Sequence, residues 1–449
     1  MKSPSSAGRR LIASAGTRIA VLPLSGLAAL LLARVVTGEY GVAAFAVFTL
    51  IANIPFLIPV SDLGLGAAVT NAAAALPLKQ REYVAARRKA QRVLIGTGSA
   101  IATVSLGLGI AGLWPAVLGL DYSAATNWGA AGALVLFGAS VPAALGQREL
   151  LGRKKNTLVV AIQGLTSPIS LGAVALCVAL DAPVGFALTL SISGLFITNW
   201  VCWIVARMDR ETRAARRSVR RSTQTDYRAA VWATAVPMLI VSLALPVTFQ
   251  SARLLISYLS SLDELAMYSA AAMVYLPTMS IVSIGGRSLW ADFAEARARQ
   301  ESFFSLYKRA TLISAAIGVM GAAGLIVAGP FIAAWATHYA VGTPLPLYIA
   351  LGAVVVFQSL QSPAGMLLTD ARGLRFQAVT TVIMGLVYLG LAIWLTPAMG
   401  AVGPAVAMAV ALLLAQVTPC VIQAYRLARR SHLTLGRDRD NPSLAHERQ

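Results

Sequence analysis

Residues 30–41 read LLLARVVTGEYG. The apolar run that contains them starts at Ile19, meets Arg34 near its end, and stops at the polar turn TGEYG before apolar residues resume at Val42. A run of about 20 apolar residues is long enough to cross a bilayer as a helix. The segment therefore reads as one membrane span, a tight turn, and the start of another. Residues 252–255 (ARLL) repeat the pattern of 33–36 (ARVV), and SLDELAMY at 261–268 again supplies an acidic turn and a tyrosine. Arg34 and Arg253 are 219 positions apart, about half the 449-residue chain.

Composition agrees. The chain is 57% hydrophobic and 12% charged, whereas soluble domains carry about 25% charged residues. Transmembrane β-barrels need short alternating segments, and none is found. The expected fold class is an all-α polytopic membrane protein of about 12 transmembrane helices, in two six-helix lobes related by a parallel repeat.

Twelve spans fit near 18–37, 41–76, 93–114, 127–147, 157–180, 184–206, 229–259, 264–288, 309–335, 344–369, 376–396 and 401–425. With this division 35 of the 37 Lys and Arg residues fall on one side, and only Arg34 and Arg253 on the other. Basic loops stay in the cytoplasm, so both termini are expected there, in a multi-pass protein of the bacterial cytoplasmic (inner) membrane. The same rule explains the net charge of +19 without nucleic acid as a partner. The N-terminal basic residues precede a long apolar run with no small-x-small cleavage site, which reads as a retained first helix. The second span is long enough to require one helix bent at Pro55 and Pro59. The expected organisation is an N-terminal lobe over 1–206, a basic cytoplasmic linker at 207–228, a C-terminal lobe over 229–430, and a disordered cytoplasmic tail at 431–449.

Polar residues inside spans are the candidate site. Arg34 and Arg253 admit two readings: snorkelling to phosphates at the membrane surface, or projection into a shared chamber as anchors for an anionic headgroup. Guanidinium suits the second because its planar fork can give two hydrogen bonds to one phosphate. Asp62, in PVSDLGLG, is the one acid deep in an apolar stretch. It reads as an ion-coupling group, or as a carboxylate satisfied near the membrane surface. Asn53, Gln250, Gln358 and Gln361 are amides that could serve a sugar pathway or bond between helices. Gln250 shares a helix face with Arg253, as Gln358 does with Gln361. Cys177, Cys202 and Cys420 read as buried apolar residues, and the three histidines form no ligand pattern. No metal site, cofactor or catalytic residue is expected.

The chain resembles polysaccharide and oligosaccharide-lipid flippases, the O-antigen/exopolysaccharide transporters of the multidrug/oligosaccharidyl-lipid/polysaccharide superfamily. The resemblance rests on the early span ending in arginine, GEYGVAAFAVF at 38–48, SDLGLGAAVTNAAA at 61–74 and LAMYSAAAMVYLP at 265–277, and extends to about residue 430. It implies a non-enzymatic transporter that flips a polyprenyl-diphosphate-linked glycan by alternating access, with Arg34 and Arg253 holding the diphosphate. The implied partners are that lipid-linked glycan, membrane lipids, a coupling cation or proton, and other polysaccharide-export proteins. The competing reading is a cation-coupled multidrug exporter of the same fold, which needs cavity carboxylates. A lipid-linked glycosyltransferase needs acids or histidines on a sizeable outer loop. A peptidoglycan-precursor flippase of the same superfamily is expected to have two more helices than the twelve counted.

Overall fold

The computed structural model describes residues 6–58, 65–74, 80–209, 248–298, 302–368 and 371–440. Among them the backbone forms helices and turns and no strand. Nine helices among the described residues are long and apolar enough to cross a membrane, and the protein is an all-helical, multi-pass membrane protein. Two compact units are formed, one by Met1–Ser269 with Trp335–Val341 and the other by Ala270–Ala334 with Gly342–Gln449. The expected linker at 207–228 lies outside the described residues beyond position 209.

In the first unit, α1 spans Ser6–Leu57 but is two limbs joined at Gly41, whose φ of 83° and ψ of 173° are non-helical. Glycine adopts such a conformation without a Cβ clash, so the turn read from TGEYG reduces to one residue. The second limb ends at Leu57 and contains Pro55, and the next described helix is α2, Leu65–Ala74. The bend expected at Pro59 lies outside the described residues.

The following helices are α3 (Gln80–Ile110), α4 (Trp114–Val117), α5 (Ala124–Ser140), α6 (Leu145–Gly152), α7 (Asn156–Gly164), α8 (Thr166–Ala179), α9 (Val184–Leu190) and α10 (Ser193–Met208). Their side-chain pairings give the directions. Ser25 and Ser167 meet at 3.4 Å, and Tyr40 donates to the Ala182 carbonyl at 3.1 Å, so the first limb of α1 runs parallel to α8 and the turn after it. Gly98 faces Gly138 and Gly109 faces Ala131, so α3 and α5 are antiparallel. Thr166 pairs with Thr198 and Ser170 with Gly194, so α8 and α10 are antiparallel too. Alternation is what successive membrane crossings require. Small residues make these contacts because backbones can then approach closely.

The basic connections are pinned by ion pairs. Arg87 on α3 meets Glu149 on α6 with both side chains buried, and Asp209 after α10 pairs with Arg153 and with Lys155, the latter at 2.7 Å. The unit also holds α11, Ala252–Leu259, and the start of α12, Leu262–Ala298.

The second unit contains the rest of α12, then α13 (Phe304–Ala336) as far as Ala334, α14 (Leu345–Leu367), α15 (Ala371–Met399) and α16 (Val402–Ala411). A π-helical turn, Leu412–Val417, leads into α17, Thr418–Asp440. Gly318 faces Ser359 and Gly329 faces Tyr348, so α13 and α14 are antiparallel. Phe293, Tyr307, Leu367 and Cys420 share one buried cluster. Cys177, Cys202 and Cys420 are all buried free thiols. The tail expected from 431 is helical as far as Asp440.

Candidate functional site

Arg253 is the second residue of α11 and only 9% exposed. Its Nη1 donates to Asn53 Oδ1 at 3.0 Å and its Nε to Ser269 Oγ at 3.3 Å. Its guanidinium carbon lies 6.0 Å from the centre of the Tyr268 ring. Asn53, in the second limb of α1, donates from Nδ2 to the Gln250 carbonyl at 2.6 Å. Thr49 is one helical turn before Asn53, on the same face, and donates to Ser269 Oγ at 2.8 Å. At the far end of α11, the Tyr258 hydroxyl lies 2.9 Å from the Ala116 carbonyl oxygen and 2.7 Å from that of Val117.

All these residues belong to the first unit. Every acceptor around Arg253 is neutral, and among the described residues no carboxylate pairs with it. Its Nη2 makes no hydrogen bond there either. A buried cation is costly unless paired, and amide and hydroxyl oxygens supply dipoles without cancelling the charge. Among the described residues the site is thus a net-positive centre with one edge of the guanidinium fork uncommitted, the chemistry that receives an anion.

Arg34 sits in a different setting. It lies seven residues before the Gly41 joint, is partly exposed, and donates from Nη1 to the Trp335 carbonyl. Its guanidinium carbon lies 5.0 Å from the centre of the Trp335 ring. Trp335 is in the last turn of α13, where free carbonyls favour a cation. His338 Nε2 lies 3.0 Å from the Arg34 carbonyl oxygen and is the donor there, since a carbonyl only accepts. Gly38 admits the imidazole, because a Cβ at that position would come within 2.9 Å of His338 Nε2. His338 and Tyr339 both have left-handed backbones, with φ of 53° and 63°. That conformation is uncommon for non-glycine residues.

The structure therefore brings Asn53, the Gln250 backbone and Arg253 together, and gives the two arginines unlike surroundings. Gln250 contributes its carbonyl rather than its amide. Gln358 and Gln361 lie on α14, in the second unit. Asp62 lies outside the described residues. Sequence reading missed Thr49 and Ser269, whose clearest signal was the Thr49/Asn53 spacing of one helical turn. It also set His338 aside as scattered, although WATHYA at 335–340 gathers Trp, Thr, His and Tyr in one turn.

No protein-family model and no curated protein sequence matches the chain. Solved structures do. An inward-facing multidrug resistance MATE family transporter of the MOP superfamily is similar over 93% of this chain and 99% of that one, with a TM-score of 0.68 and 14% identity. Lipid II flippase MurJ, in an inward closed conformation, is similar over 93% of this chain and 91% of that one, with a TM-score of 0.64 and 13% identity. A MOP superfamily transporter from Pyrococcus furiosus, described as having a binding pocket of reverse polarity, covers 94% of each chain at a TM-score of 0.58 and 13% identity. The chain has the fold of MOP-superfamily transporters. At such identities the likeness is one of fold. The MOP fold spans transporters of different cargo, so the cargo has to be argued from side chains.

Proposed function

We propose that this protein is a MOP-superfamily transporter that flips a polyprenyl-diphosphate-linked oligosaccharide across the bacterial inner membrane by alternating access, for cell-surface polysaccharide synthesis. The observation that carries this reading is Arg253, buried, held by Asn53 and Ser269, and without a carboxylate partner among the described residues. A diphosphate is the part of such a lipid that cannot cross hydrocarbon unaided, whereas the polyprenyl tail can stay in the bilayer. A site that shields and neutralises the head is what translocation requires. The likeness to a lipid II flippase is compatible with a lipid-linked cargo.

Charge also argues against cationic drugs. Two like charges about 4 Å apart repel by about 4 kcal/mol at an effective dielectric constant near 20. Arg253 opposes a cationic amphiphile by an amount of that order. The MATE likeness keeps a multidrug exporter of the same fold as the second reading, and it would have to place its cation away from Arg253.

The basic-residue asymmetry and the alternating helix directions support twelve spans, lobes at 1–206 and 229–430, a cytoplasmic connection at 207–228, and both termini in the cytoplasm. Within this reading Arg34 first serves α13, and Arg253 is the principal anchor. Asp62 is the candidate for cation or proton coupling.

The test is transport by purified protein in proteoliposomes. A fluorescent polyprenyl-diphosphate-linked sugar should become accessible to an impermeant quencher only when the protein is present, and ethidium should not be moved. Ethidium transport without lipid flipping would establish the exporter reading instead.

A further inference from the structure

Gln358, Gln361, Gln377 and Gln416 lie on neighbouring helical segments of the second unit, and they divide sharply. Gln377 on α15 donates from Nε2 to the Leu368 carbonyl at 2.7 Å and the Gly365 carbonyl at 3.1 Å, satisfying the C-terminal end of α14. Gln416, in the π-helical turn, donates from Nε2 to Thr381 Oγ1 at 3.2 Å. These two make the interhelical bonds expected of amides inside a membrane protein. Gln358 and Gln361, three residues apart on α14, make no such bond among the described residues, and both Oε1 atoms are shielded from solvent. Gln361 is only 5% exposed.

Buried polar groups are nearly always partnered, so a pair of orphaned amides on one helix face calls for a ligand. The side-chain position of Gly365, one turn beyond Gln361, lies 3.3 Å from Gln377 Oε1 and 3.8 Å from Gln361 Nε2. A side chain at Gly365 would therefore crowd Gln377 Oε1 and touch Gln361 Nε2. Helix geometry is irregular nearby at Leu412–Val417, and π-turns often mark functional sites.

We infer that Gln358 and Gln361 form a hydroxyl-binding subsite for a sugar residue of the transported lipid, with Gly365 leaving the Gln361 amide uncrowded. This rests on the flippase reading above. An amide presents an acceptor and two donors side by side. A sugar hydroxyl donates to one and accepts from the other, and so satisfies both. A bare cation takes only the oxygens and leaves the NH₂ groups facing a positive charge.

The experiment measures binding to the purified full-length protein in nanodiscs. The probes are geranyl diphosphate and, separately, the methyl glycosides of N-acetylglucosamine, glucose and galactose. The wild type should bind at least one glycoside about tenfold more tightly than a Gln358→Leu/Gln361→Leu variant does, the worth of roughly one to two hydrogen bonds. That variant should keep its affinity for geranyl diphosphate. Its melting temperature should hold, because no protein hydrogen bond is removed. Gly365→Ser should weaken glycoside binding in the same way even if the double variant folds poorly. If geranyl diphosphate binds and no glycoside does, or if glycoside binding survives in the variants, the subsite is refuted while the flippase reading stands. If geranyl diphosphate does not bind, the flippase reading fails and the subsite falls with it.

Discussion

Asn53 holds Arg253 through a neutral oxygen: Oδ1 accepts from Nη1 at 3.0 Å, while Nδ2 of the same amide donates to the Gln250 carbonyl at 2.6 Å. One side chain thus joins the second limb of α1 to both the start of α11 and Gln250, two residues ahead of that helix. A carboxylate in its place would bond the guanidinium as well but cancel its charge. That contrast gives the most discriminating variant. Asn53→Asp should leave the melting temperature unchanged or raised, yet reduce lipid flipping about tenfold or more, because the anion now meets a paired cation. Flipping at the wild-type rate in this variant would remove Arg253 from the anchor role.

Replacing the arginine itself separates charge from geometry. Arg253→Ala should abolish flipping. Arg253→Lys should restore part of it, since lysine keeps the charge but not the planar fork. The paired readouts are flipping rate and thermal melting, and equal activity of the lysine and wild-type proteins would mean that only a point charge is needed.

Arg34 should behave differently. Its bond to the Trp335 carbonyl places a cation at the end of α13, an arrangement worth about 0.3–1 kcal/mol. Arg34→Ala should therefore lower stability slightly and flipping far less than Arg253→Ala. A loss of flipping as deep as that of Arg253→Ala, with an unchanged melting temperature, would return Arg34 to the anchor.

The buried pair Arg87–Glu149 carries a stability prediction with no direct bearing on transport. Removing one partner of a buried ion pair costs about 3–5 kcal/mol. Glu149→Gln should lower the melting temperature clearly, while a substitution of both partners by apolar residues of similar volume should recover much of the loss.

Close backbone approach can be tested at α3 and α5. A Cβ on Gly98 would meet the Gly138 carbonyl, and overpacking of this kind costs about 1–3 kcal/mol. Gly98→Val should destabilise measurably, and Gly26→Ala, where the same addition meets nothing within 4 Å, should not.

The fold was legible because its signals are collective. Spans near 93–114 and 309–335 stand out as apolar runs between basic clusters, and they appear as Tyr83–Ile110 and Phe304–Ala336. The Gly41 turn was legible too, since an acid, a tyrosine and two glycines interrupt the run. The end of the second limb at Leu57 was less so, because two prolines in an apolar stretch do not say at which residue a helix stops. The site was half legible. Arg253 and Asn53 announce themselves by polarity, but Thr49 and Ser269 are residue types found throughout membrane helices, and only packing identifies their partner. Gln377 and Gln358 look alike in sequence. Which one is satisfied depends on helix C-termini whose positions a linear pattern cannot give.

Gly41 has one more consequence. Arg34 stands on the limb before it, and Thr49 and Asn53 on the limb after it. With a single residue as the joint, there is no slack chain to absorb a change in angle between the limbs. Any such change must be taken up as torsion at this residue or as bending of the helices themselves, and it swings Asn53 relative to Arg34 like two arms on one pivot. Movement at the Trp335 end can therefore reach the guanidinium of Arg253 mechanically, without a chain of charges between them.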